Sequence, residues 1–182
     1  MESTDLSCIN AIARGDEQAF DKLFTDWFAR LHAYAFSVLQ DEAMAEEAVQ
    51  SVFCRIWEKR AQWQVHTSVR AYLYGSVYHE CMNWLRREKN SKTHRRHVLH
   101  SSDRPVAEHA AARVELGELE TQLKQALDAL PNQCRAIFQL SRFGGLKYRE
   151  IAEQLGLSVK TVEAQVGKAL KQLRNKLADF LE

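Results

Sequence analysis

From Phe20 onward the apolar residues of this chain recur every three or four positions, a period that admits helices and little else. Phe20, Leu23, Phe24, Trp27, Phe28, Leu31, Tyr34, Ala35, Val38 and Leu39 trace one face of a long helix. A second stripe follows Gln40, through Ala45, Ala48, Val49, Val52, Phe53, Ile56 and Trp57, with Asp41 placed to cap its first turn. Only 2 prolines and 7 glycines occur in 182 residues, too few turn formers for an all-β, turn-rich architecture. The expected fold class is all-α.

Other classes fall away on composition. Apolar residues make up 46% of the chain, enough for a packed core. No apolar run approaches the roughly 18 residues that cross a bilayer, so direct membrane insertion is not expected. The start, MESTDLSCIN, is acidic and lacks the basic and apolar stretches of a signal peptide. Cys8, Cys54, Cys81 and Cys134 form no CxxC pair, which fits reduced cytoplasmic thiols better than a disulfide framework. His94, His97 and His100 repeat every three residues, but no Cys or carboxylate stands at ligand spacing beside them. No metal and no cofactor are expected.

A formal net charge of +1 argues at first against a nucleic-acid partner. Counted along the chain, that neutrality dissolves. Residues 1–58 carry −7, residues 59–104 carry +7, residues 105–134 carry −3, residues 135–176 carry +6 and the last six −2. Two basic blocks between acidic ones suggest two electrostatic footprints facing different partners.

The first basic block holds a helix expected over about 69–90, after a loop at 61–68. At about 100° per residue, Leu73, Val77, Cys81, Trp84 and Leu85 share one side. Tyr72, Ser76, His79, Asn83, Arg86, Arg87 and Asn90 share the other. Guanidinium groups bind phosphates as planar forks, Asn and His reach base edges, and Tyr stacks on unpaired bases. The second basic block begins with helices expected at 116–130 and 131–143, the latter opened by Pro131 and stopped by Gly144-Gly145. A short helix with Ile151, Ala152 and Leu155 then turns at Gly156-Leu157, and Ser158 caps a long final helix. Its expected core positions are Val159, Val162, Val166, Ala169, Leu170 and Leu173, with Lys160, Ala164, Lys168 and Lys171 opposite. This is helix-turn-helix spacing, with small residues between lysines that let a helix lie close to a groove floor.

With both halves read, the chain resembles an extracytoplasmic-function (ECF, group IV) sigma factor of the sigma-70 family. DEAMAEEAVQSVFCRIWEKR is similar to region 2.2, which grips the β′ subunit of RNA polymerase. SVRAYLYGSVYHECMNWLRREKN is similar to regions 2.3 and 2.4, which open and read the −10 promoter element. LDALPNQCRAIFQLSRFGGLKYREIAEQLGLSVKTVEAQVGKALKQLR is similar to region 4, which reads the −35 element.

The resemblance implies two small helical domains: region 2 at 1–92 and a C-terminal helix-turn-helix, region 4, at 116–182. A flexible linker at 93–115 would join them. It places Glu46, Glu47, Gln50, Phe53 and Trp57 on the polymerase-binding helix, with Phe53 and Trp57 supporting it from within. It places Tyr72, His79, Asn83, Arg86 and Arg87 at the −10 element. It places Ser158, Lys160, Thr161, Glu163, Ala164, Gln165, Lys168 and Lys171 at the −35 element. His79 stands where the family more usually has asparagine, and Glu163 and Gln165 where many members are basic. The implied partners are the β′ and β subunits of core RNA polymerase and promoter DNA. KTVE at 160–163 is similar to the branch with membrane-bound anti-sigma partners. The implied location is cytoplasmic, and nucleoid-associated when polymerase-bound. The implied role is promoter-specific initiation without enzymatic activity.

Two rival classes fit less well. A dimeric activator would share the helix-turn-helix but leave the amino-terminal pattern unexplained. An enzyme would need a catalytic constellation, and no HExxH, Gly-rich phosphate loop or recognisable Ser-His-Asp order occurs. Opposed −7 and +7 blocks also predict that the halves pack compactly against each other in the free protein.

Overall fold

The structure is a computed structural model and describes residues 3–65, 68–95 and 114–177. Among the described residues are eight α-helices, one 3-10 turn at Arg60–Gln62 and no strand. The all-α expectation holds. The helices are α1 (Ser3–Ala13), α2 (Glu17–Leu39), α3 (Glu42–Glu58), α4 (Val69–Arg95), α5 (Val114–Asp128), α6 (Asn132–Arg142), α7 (Tyr148–Leu155) and α8 (Val159–Lys176).

Local chemistry sets the helix ends of the amino-terminal half. Asp16 accepts from Ala19 N at 3.0 Å to open α2, and Asp41 accepts from Met44 N at 2.9 Å to open α3. Between them Gln40 adopts a left-handed conformation, φ +58°, and folds α3 back along α2. Leu31, Val38, Ala45, Ala48 and Val49 are buried in the contact. Phe20 and Phe24 of α2 meet Phe53 at centroid distances of 6.1 and 4.9 Å, and Phe20 meets Trp57 at 4.9 Å. α4 lies across both helices, with Leu73, Val77 and Cys81 buried beneath it.

The carboxy-terminal half is smaller. α6, α7 and α5 each pack on α8, burying Ile137, Leu140, Ile151, Val162, Val166 and Ala169. The halves also pack on each other, α4 against α7 and α2 against α6. Tyr34 in α2 is buried at this seam, and its hydroxyl donates to the Ala136 carbonyl of α6 at 3.5 Å.

Several boundaries differ from expectation. α1 carries too short an apolar pattern to be read from sequence, yet Ile9 and Ile12 are buried. α4 continues to Arg95 because nothing in LRREKNSKTHR breaks a helix. Residues 93–95 and 114–115 of the expected linker are therefore helical, and its remainder, with His97 and His100, lies outside the described residues. Pro131 is the residue before α6 rather than in its first turn, with φ −54° and ψ 138°.

Burial pushes the Cys81 thiol up to about 12 from 9.0. The folded state then holds a proton that the unfolded chain releases, so this contribution is intact below pH 9 and is lost as pH rises from about 9 to 12. Cys81→Ala is expected to flatten part of the alkaline fall in Tm across that window. An unchanged slope in thermal melts from pH 8 to 11 would contradict the assignment.

Candidate nucleic-acid and polymerase interfaces

The final helix is built by two local signals. Gly156 ends α7 at φ +64°, a left-handed position that suits glycine. Ser158 then accepts from Thr161 N at 3.0 Å, and the two hydroxyls lie 2.8 Å apart. With Val162, Val166, Ala169 and Leu173 buried, Ser158, Lys160, Glu163, Ala164, Lys168 and Lys171 are exposed. Thr161 and Gln165 are half-buried on the flanks of that face. Glu163 makes no ion pair among the described residues, which leaves its carboxylate open as an acceptor.

Two expected core positions are corrected. Val159 and Leu170 are exposed, because at about 100° per residue they lie some 60° from the centre of the buried stripe. Lys147 and Arg149, at the start of α7, are exposed cations that the sequence reading passed over. A basic pair at the head of the first helix of a helix-turn-helix was the available signal.

The α4 face divides in two. Asn83, Arg86 and Arg87 are exposed, and Arg86 Nη1 donates to Asn83 Oδ1 at 3.4 Å. Nearer the start of the helix, Tyr72 is half-buried, with its ring 5.7 Å from that of Trp63. His79 is exposed, but its Nε2 donates to the Gln154 carbonyl of α7 at 3.0 Å. The sequence therefore placed these residues on one face correctly, while the other half of the chain occupies part of it. Tyr74, Gly75 and Tyr78 are buried as well, since α4 packs on two sides rather than one. Arg55 of α3 pairs with Glu80 of α4 at 2.7 Å and fixes the two helices side by side.

On α3, Glu46, Glu47 and Gln50 are exposed, and Gln50 Nε2 donates to Glu46 Oε1 at 2.9 Å. Phe53 is buried, so it cannot touch a partner directly. Trp57 is half-buried beneath the Arg60 guanidinium, which sits 4.5 Å from its ring centroid. Both hold α3 from within. Among the described residues no three His, Cys, Asp or Glu side chains could hold a metal ion, and no helix is long and apolar enough to cross a membrane.

Comparison with known proteins agrees with this layout. The profile of Sigma-70 region 2 matches residues 23–91, and that of Sigma-70, region 4 matches residues 120–173. The chain is 27% identical over 180 residues to the ECF RNA polymerase sigma factor SigK of Mycobacterium ulcerans, covering 95% of this chain and 94% of that one. It is 24% identical over 167 residues to SigK of Mycolicibacterium vanbaalenii, covering 91% and 85%.

The chain belongs to the sigma-70 family and is similar to its ECF members. Two solved structures share the fold of this sigma factor. One is CnrH in complex with the cytosolic domain of CnrY, with a TM-score of 0.69, 24% identity and coverage of 96% and 97%. The other is RpoE in complex with the anti-sigma factor NepR from Bartonella quintana, with a TM-score of 0.69, 21% identity and coverage of 87% and 96%.

The helix-turn-helix geometry gives a direct expectation. Ser158→Ala should cost about 1 kcal/mol through loss of the cap, and Gly156→Ala about 1 kcal/mol through strain at positive φ. Urea unfolding of the full chain measures both. Wild-type midpoints for the two variants would contradict the turn described here.

Proposed function

We propose that this chain is a group IV initiation factor that carries core RNA polymerase to two promoter elements, using one helix face for each. The exposed row Glu46, Glu47 and Gln50 on α3 meets the β′ subunit, with Phe53 and Trp57 fixing its position. His79, Asn83, Arg86 and Arg87, with Tyr72 at the edge, read the −10 element, including bases flipped from the non-template strand. Ser158, Lys160, Thr161, Glu163, Ala164, Gln165, Lys168 and Lys171 hold the −35 duplex, where Glu163 can accept from a cytosine amino group.

One observation carries this reading. Each of two sigma-70 modules turns an apolar stripe inward and a row of cations outward, with Arg86 and Arg87 on one and Lys160, Lys168 and Lys171 on the other. Phosphate neutralisation explains cations in such rows, and short side chains such as Ala164 between them allow close approach to a groove.

In the same reading, residues 1–92 and 116–182 act as separable domains. The linker at 93–115 runs toward the RNA exit path and contacts the β subunit. The protein works in the cytoplasm as a non-enzymatic factor, associated with the nucleoid when polymerase-bound. A membrane-bound anti-sigma factor restrains it. That last element draws support from the two relatives of this fold solved with CnrY and NepR.

Run-off transcription with core polymerase and this chain alone should give promoter-specific product. The Arg86→Ala, Arg87→Ala double variant should still bind core polymerase but lose permanganate reactivity around −10. Intact reactivity would overturn the role of these arginines. If each module neutralises about four phosphates, binding falls with salt at a log–log slope of about −0.9 per phosphate, and Lys168→Ala lowers the slope by about 1.

A further inference from the structure

A cavity of about 560 Å³ opens between α2, the start of α4 and the loop that follows α6. That volume lies in the range of small-molecule sites. Two arginines line it, Arg30 from α2 and Arg70 from α4, and no carboxylate does. Neither arginine belongs to the cation rows on α4 and α8 described above. Among the described residues neither has an ion pair or a hydrogen bond. The Arg30 guanidinium lies 5.8 Å from the Trp27 ring centroid. Gly145, left-handed at φ +61°, brings the loop against Arg70, where a Cβ would stand 3.3 Å from Nη1.

Two polar side chains in the wall are buried without partners. Tyr74 and Gln139 are each only 4% exposed. Among the described residues, neither the Tyr74 hydroxyl nor the Gln139 amide makes a hydrogen bond. Buried polar groups are as a rule paired, and an exception calls for a physical explanation. Burial pushes the Tyr74 phenol up, while the Arg30 and Arg70 guanidiniums pull it back. Both charges therefore face the same hydroxyl, which stays protonated and able to donate.

The rings divide into a fixed set and a free one. Tyr74 meets Trp27 and Tyr34 edge to face, at centroid distances of 6.3 and 5.4 Å. Phe143 at the rim is 69% exposed and has no ring partner among the described residues. It offers an open face to a planar group.

The geometry points to a ligand site for an adenine nucleotide at this cavity, with its phosphate between Arg30 and Arg70 and its base on Phe143. Guanidinium forks match phosphate oxygens, and the Tyr74 hydroxyl adds a third donor. The Gln139 amide carries a donor and an acceptor, the pair that matches N7 and N6 of adenine. A base stacks on an aromatic face whatever its sequence context, so Phe143 supplies affinity and Gln139 supplies choice. α2 and α4 form one wall and the α6 loop the other, so a bound nucleotide fastens the two halves and raises Tm.

Titration calorimetry and thermal melts of the full chain with adenosine 5′-monophosphate (AMP) test the site. One AMP should bind per chain, and at about 1 mM it should raise Tm. Adenosine and inorganic phosphate should each bind at least about tenfold more weakly, since each makes half of the contacts. Arg30→Met, Arg70→Met and Phe143→Ala should each weaken AMP about tenfold. All three positions are exposed, so circular dichroism should show wild-type helix content. Gln139→Met should remove the preference for AMP over guanosine 5′-monophosphate.

An unchanged Tm with AMP, or phosphate binding as tightly as AMP, would overturn the proposal. So would AMP binding that survives Arg30→Met with Arg70→Met but is lost with Lys168→Ala and Lys171→Ala, which would put the nucleotide on α8.

Discussion

The packing of α4 governs the rest of the molecule. It buries Leu73, Val77 and Cys81 against α2 and α3, meets α7 at Gly75 and α6 at Tyr78, and presents Asn83, Arg86 and Arg87 to solvent. A helix that packs on two sides leaves a partner only the part it keeps exposed, here Asn83, Arg86 and Arg87. Gly75 makes that second contact possible. The cost is a weaker helix, and the return is a backbone approach that no side chain would allow.

The arrangement also gives physical content to the near-zero net charge. An acidic amino-terminal block and two basic blocks are carried by different helices of one chain. The acidic residues of α3 stay outward, as do the lysines of α8. Surfaces of opposite sign on one small protein attract each other as well as outside partners, and salt screens that attraction.

Much of this was legible locally. The Gly156 turn, the Ser158 cap and the alternation of buried valines with exposed lysines on α8 are near-neighbour effects, and the sequence carries them in plain form. Phe53 and Trp57 were readable as internal supports for the same reason. The seam was legible only as an expectation that opposed charges would draw the halves together. Its chemistry was not. Nothing local distinguishes Arg135, a buried arginine, from an exposed one, nor marks Tyr78 as facing Gln133 across the seam. Nothing local sets Gly75 apart from any other helix glycine; only the position of Gln154 against it does. The edge positions Val159 and Leu170 show the limit of the 3.6-residue period itself, since two apolar residues at the margin of a stripe can fall on either side of it.

The central claim is that one chain carries two separate DNA-reading faces, on α4 and on α8. Hydroxyl-radical footprinting of core polymerase loaded with this chain, on promoter fragments that support run-off, tests it most directly. Two protected patches are expected, separated along the duplex, the upstream one lost with Lys168→Ala and Lys171→Ala and the downstream one lost with Arg86→Ala and Arg87→Ala. A single patch that all four substitutions erase together would contradict the claim.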